Sequence, residues 1–156
     1  MKKLIFKKQE AQPFVDFLNM VNLKSAKLTR LRTQLQMKLS EIYKQMEHDR
    51  LEIVKKYAIK DDRDELVIKK NEEGFEYYPT AKGKEKELFE EVKELREEEV
   101  AVEVGEYSTK LAPLFEHMDS DDFTLPDGFE GESSFLYNKL MEIWEEAQEK
   151  EEEEIC

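Results

Sequence analysis

Two histidines, one cysteine and a few serines are the side chains with which this 156-residue chain could do nucleophilic or acid–base chemistry. His48 lies between Glu47 and Asp49 on the polar side of a helical pattern and reads as a solvated residue. His117 ends another helical pattern, where a protonated imidazole suits the negative end of the helix dipole. Neither stands in an H-E-x-x-H arrangement or at zinc-ligand spacing. Cys156 has no second cysteine to pair with, so neither an intramolecular disulfide nor a cysteine zinc site can be built. Gly131-Glu132-Ser133-Ser134 lacks the second glycine and the preceding strand of a nucleophile elbow, and Ser133 or Ser134 reads as a helix cap. Gly83-Lys84 lacks the strand and the Ser/Thr of a phosphate loop. Asp119-Ser120-Asp121 opens like a calcium loop, but Phe123 and Thr124 stand where a ligand and the central glycine belong. The expectation is a protein that is not an enzyme and holds no cofactor or metal.

What remains is charge. Lys24, Lys27, Arg30, Arg32 and Lys38 fall within fifteen residues that contain no acid. On a helix at about 100° per residue, Lys24, Lys27 and Lys38 lie within about 60° of one another beside the apolar stripe. Arg32 lies on the other flank, and Arg30 points away. Such a spread suits cations snorkelling around a core seam better than one nucleic-acid face. The chain as a whole carries 25 Lys+Arg against 38 Asp+Glu, a net of -13, which opposes phosphate binding. Direct nucleic-acid binding is not expected.

The net figure conceals an asymmetry of +8 over residues 1–60 and -21 over residues 61–156. Acidic runs at Glu97-Glu98-Glu99, Asp119 to Asp122 and Glu151 to Glu154 supply part of the negative half. Glutamate-rich helices can present carboxylates at spacings that resemble backbone phosphates, and so occupy a basic groove on another protein. Glutamate is also an ordinary surface helix former. The candidate protein-binding residues are Glu97, Glu98, Glu99, Asp119, Asp121 and Asp122, since like-charge patches steer a basic partner.

These residues must be positioned by few elements. Nine Gly and Pro together argue against a many-stranded sandwich or barrel. Leu4-Ile5-Phe6 reads as a short strand, and Phe14, Val15, Phe17, Leu18 and Val21 as a helix with Pro13 in its first turn. Leu28, Leu31, Leu35, Leu39, Ile42 and Met46 predict a long amphipathic helix over about 24–58. The segments 66–69 and 75–78 flank Asn71-Glu72-Glu73-Gly74 as a β-hairpin, after a polar break at Asp61 to Asp64. A helix at about 84–98, a strand at Val100 to Val104 closed by Gly105, and a helix up to Met118 follow. Pro113 either starts that last helix near Ala112 or kinks a longer one. After a loop at Asp119 to Gly128, Leu136, Leu140, Ile143 and Ala147 form the stripe of a final helix, flanked by Tyr137, Met141 and Trp144. Five glutamates over Glu149 to Glu154 should fray its end.

The expected fold is α+β and mainly helical, with a small antiparallel sheet of a hairpin and one or two short strands packed on the long helix. Residues 1–148 are expected as a single domain and 149–156 as a frayed acidic tail. No apolar run reaches the ~20 residues that span a bilayer, and Leu4-Ile5-Phe6 is stopped by Lys7-Lys8, far short of a signal peptide. No membrane association is expected.

The order of segments carries a resemblance. Leu23-Lys24-Ser25-Ala26-Lys27 through Leu39 opens the long helix. Glu98-Glu99-Val100-Ala101-Val102-Glu103-Val104, Glu106-Tyr107-Ser108-Thr109-Lys110 and a Leu-Pro-Asp-Gly-Phe loop before a terminal helix follow. From about residue 12 to 147 the chain resembles an uncharacterised family of small proteins encoded by tailed phages of Gram-positive bacteria. The resemblance brings no catalytic residues. It implies a protein acting in the cytoplasm of an infected host cell, or associated with the virion. The expected function is protein–protein binding, as an acidic inhibitor of a host or defence nucleic-acid-binding protein. The alternative is an oligomeric tail or assembly component that self-associates through the helix at 24–58, with Met20, Met37 and Met46 near the seam.

Overall fold

The computed structural model describes residues 3–104, 108–126 and 131–155. The expected strand end at Gly105, the loop residues Asp127 and Gly128, and Cys156 lie outside them. In chain order the elements are β1 (Lys3–Lys7), α1 (Ala11–Met20), α2 (Ala26–Lys56), β2 (Lys69–Lys70), β3 (Glu76–Tyr77), α3 (Glu85–Glu97), β4 (Glu99–Glu103), α4 (Ser108–Met118) and α5 (Glu132–Ile155). The protein is α+β and mainly helical, with one long helix and two small antiparallel sheets. Its contacts divide it into two compact units, residues 1–43 with 99–156 and residues 44–98.

The first unit holds the main core. β1 pairs antiparallel with β4, with Leu4 opposite Val102 and Phe6 opposite Val100. The period of two places these four on one face and leaves Lys3, Ile5 and Lys7 opposite Glu103, Ala101 and Glu99 on the other. Oppositely charged cross-strand pairs at both ends of the ladder support this register. The inner face packs with Phe14, Phe17 and Leu18 of α1, Leu31, Leu35 and Leu39 of α2, Leu114 and Phe115 of α4, and Leu140 and Ile143 of α5. A 3-10 turn at Lys8–Glu10 leads from β1 into α1, and Lys139 Nζ of α5 lies 3.2 Å from Glu10 Oε2.

Several expectations need correcting. The small sheet containing β1 is completed by β4, and the hairpin β2–β3 forms a separate sheet. Of the two alternatives for Pro113 the structure has the longer helix, with the proline inside α4 removing the bond to the carbonyl four residues back. Ser133 and Ser134 do not cap α5, which already begins at Glu132 after Gly131 at φ +78°. Ser133 is buried, and Ser134 Oγ donates to the Gly131 carbonyl. The helix α5 extends through the glutamate run to Ile155, as the helix propensity of glutamate allows.

The second unit is built from tight turns. Asn71 Oδ1 accepts from the amides of Glu73 and Phe75, and Gly74 takes φ +88°. The polar break at Asp61 repeats the device: Asp61 Oδ1 accepts from the amides of Arg63 and Glu65, and Asp64 takes φ +62°. Asp61 therefore starts a hairpin of its own, which bridges Lys60 to Leu66, while Ala58 bridges to Thr80. This is why β2 and β3 are shorter than the apolar runs around them. The segment at 66–68 is drawn off towards Ile59, whose carbonyl accepts from the Val67 amide.

Candidate functional site

The strongest candidate lies between α4 and α5 in the first unit. Residues Phe115, Met141 and Trp144 form its floor, and Glu116, Asp119, Glu145 and Glu149 stand at its rim. On α5 the spacing of Met141, Trp144, Glu145, Gln148 and Glu149 places all five on one helical face. On α4 the core residue Phe115 is followed directly by Glu116, and Asp119 comes one turn on. Phe115 and Trp144 stack flat, with ring centroids 4.3 Å apart and planes at 2°. The Tyr137 hydroxyl donates to the Met118 carbonyl at 2.5 Å, so the end of α4 is tied to α5 through one of its free carbonyls. Phe123 stacks on Tyr137 from the other side.

The electrostatics of the groove register on Tyr137. Burial raises its phenol above the ordinary 10.0, and the charges of Asp119 and Glu145 add to the effect. The hollow encloses about 310 Å³, at the small end of the ~300–1,000 Å³ usual for ligand pockets. It is suited to one or two side chains of a partner more than to a whole metabolite. Among the described residues, no group of three His, Cys, Asp or Glu converges as a metal ion would require. The chemistry on offer is a ring of four carboxylates around an aromatic and methionine floor.

A family model covers residues 2–151, that of the proteins of unknown function DUF1617. The chain belongs to the DUF1617 family. No curated protein and no solved structure matches it.

Of the six residues named from the sequence of this DUF1617 chain, the structure brings only Asp119 into the groove. Asp122 lines a different hollow, with Asn22, Lys24, Ser25, His117 and Thr124. Asp121 is exposed in the turn after α4. Glu97 ends α3 and Glu98 caps it in the second unit, while Glu99 begins β4 in the first, opposite Lys7. Glu116, Glu145 and Glu149 were missed because each looks like an ordinary surface glutamate. Their usable signal is position, since each lies one or a few residues from a buried aromatic or methionine on the same helix.

The basic segment also separates on inspection. Arg32 Nη1 donates to the carbonyl of Val21 at the end of α1. Lys38 Nζ donates to the carbonyl of Glu103. Lys24, Lys27 and Arg30 are exposed and make no ion pair among the described residues. The apolar stripe of α2 is filled within the chain, since Leu31, Leu35, Leu39 and Met46 are all buried. Met37 is not part of it and is 61% exposed.

A third cluster belongs to the second unit and is structural. Lys56 Nζ and the Tyr57 hydroxyl both donate to Glu91 Oε1, at 2.7 and 2.5 Å, and so tie the end of α2 to α3. The bonds from Lys56 and Tyr57 hold the Glu91 carboxyl below its ordinary 4.5. The bond to Glu91 raises Lys56 above 10.5, and Tyr57 above 10.0 with burial adding to it. A lowered carboxyl contributes stability that is complete above its unfolded value and is lost as pH falls through the folded one. The raised groups contribute below about 10 and lose their contribution as pH climbs through their folded values. The difference in melting temperature between wild type and Glu91→Gln is therefore expected to stay constant from about pH 6 to 9. It should shrink at pH values below 4.5 and again above 10.5. A difference that widens in acid would contradict the cluster.

Proposed function

We propose that this protein acts without catalysis, by holding the basic surface of another protein in the acidic groove between α4 and α5. The observation that carries this is the ring of Glu116, Asp119, Glu145 and Glu149 around Phe115, Met141 and Trp144. Carboxylates at the rim attract and orient a cationic partner, and the floor accepts the apolar part of an anchoring side chain. Nucleic-acid-binding proteins are the class that carries such basic surfaces, so occupation of one is the form an inhibitor would take. The resemblance to phage-encoded proteins supports reading that partner as one of an infected host cell. A second reading, assembly into an oligomer in the cell or on the virion, is favoured by the exposure of Met37 on α2.

Trp144 is the single tryptophan of the chain, so its emission reports on the groove alone. Titration with a lysine- and arginine-rich amphipathic peptide bearing a central methionine should give a saturable change in that emission. The double variant Glu145→Lys, Glu149→Lys should bind about tenfold more weakly, since each exposed charge is worth up to ~1 kcal/mol. An equal response in wild type and variant, or in a charge-reversed control peptide, would overturn the reading.

A further inference from the structure

The first unit carries, besides the acidic groove, a surface of opposite chemistry. On α2, Lys27, Arg30, Gln34, Met37 and Lys38 share an arc of about 100° that flanks the buried leucine stripe on one side. Lys27, Arg30 and Met37 are exposed, and Lys38 is half-buried. No acid occurs between Asp16 and Glu41, and Glu41 closes the face at its far end. At one edge of this surface stands an apolar side chain, Met37, 61% exposed beside a hollow lined by Gln34, Leu35, Lys38, Glu41 and Leu111. An exposed methionine on the same helix face as exposed cations is the chemical complement of an aromatic and methionine floor flanked by carboxylates. Its thioether adapts to irregular gaps and makes favourable contacts with aromatic rings.

We infer that a second copy of this chain occupies the groove, with Met37 of one copy on the Phe115–Trp144 floor of the next and Lys27 and Arg30 against its carboxylates. The inference rests on the reading of the groove as a site for a basic protein surface, and names that surface. The two surfaces share no lining residue. The contact is therefore head-to-tail, and each copy in the middle of an assembly uses both faces. Such contacts close into rings or extend into filaments according to the rotation between copies. The net charge of -13 opposes association at long range, but screening at about 8 Å leaves the local complementarity in command at physiological salt. Raising the salt weakens attraction and repulsion together, so salt dependence does not discriminate.

Mixing two variants does. The variant Glu145→Lys, Glu149→Lys keeps the basic face and loses the acidic one; Lys27→Ala, Arg30→Ala keeps the acidic groove and removes the cations that would enter it, without creating a charge complement to the first variant. All four positions are exposed, and a circular dichroism spectrum like that of wild type certifies each fold. By sedimentation velocity, wild type should grow beyond monomer as concentration rises, and each variant alone should stay monomeric. An equimolar mixture should form a one-to-one dimer that grows no further, because one intact face of each kind remains. A mixture that stays monomeric, a variant that still self-associates, or a wild type that is monomeric up to millimolar concentration would each overturn the inference. If wild type is monomeric while the peptide titration of Trp144 still saturates, self-association fails and the groove reading survives. If neither responds, both fail.

Discussion

Replacing Phe17 by alanine is expected to lower the unfolding free energy by about 3–5 kcal/mol. Phe17 is fully buried on α1, and its ring lies 6.5 Å from that of Tyr137. It therefore packs α1 against the helix that supplies half of the groove. Alanine removes the ring and leaves a hole that Phe14, Leu18 and Tyr137 can close only in part. Against a total stability of about 5–15 kcal/mol for a domain, such a loss is large. Urea unfolding followed by Trp144 emission is the proper readout, because Trp144 belongs to the same unit and the chain has no other tryptophan. Phe89→Ala provides the control, since Phe89 is 68% exposed and an exposed substitution usually changes stability by under about 0.5 kcal/mol. A Phe17→Ala loss below about 1 kcal/mol would mean that α1 is not seated as described.

Phe17 also illustrates what can be read from the sequence. Its helix, the long helix after it and the strand at Lys3–Lys7 all follow from apolar spacing, because each buries one stripe or one face. Periodicity identifies a stripe but not the stripe that covers it. The pairing of Lys3 with Glu103 spans the whole first unit, and nothing local marks it. Turn chemistry misled for a different reason. Asp61 and Asn71 organise the same turn, but Asn71 is followed by a glycine at the left-handed position and Asp61 by Asp64, which hides the second hairpin. The groove was illegible for the same reason as the sheet, because Glu116 and Glu145 become neighbours of one floor only when α4 meets α5. Charge counting pointed to the acidic half and chose the runs within it, whereas the candidate groove is lined by separated carboxylates beside buried rings.

The basic segment gives the second large effect. Arg32→Met is expected to cost about 2 kcal/mol, within the ~1.5–3 kcal/mol typical of hydrogen bonds from charged donors. The last carbonyls of α1 have no partner within their own helix, and the guanidinium supplies one. Arg32 Nη1 donates to Val21 O at 2.5 Å and weakly to Leu18 O at 3.5 Å. One turn later on α2, Gln36 Nε2 donates to Val15 O and to Asn19 Oδ1, so two side chains at i and i+4 stitch the end of α1 to α2. A cation there also opposes the negative end of the α1 dipole. Methionine keeps the stem and its packing, so the loss isolates the head group. The buried Nε of Arg32 finds no hydrogen-bond partner among the described residues, and its removal offsets part of the cost. Arg32→Lys should recover less than half, because a single ammonium lacks the planar fork. Urea unfolding read at Trp144 measures all three proteins. An Arg32→Met variant within about 0.5 kcal/mol of wild type would sink the cap. If the cap stands, Arg32→Met should leave the head-to-tail association of Lys27 and Arg30 intact, because the guanidinium is already committed to α1.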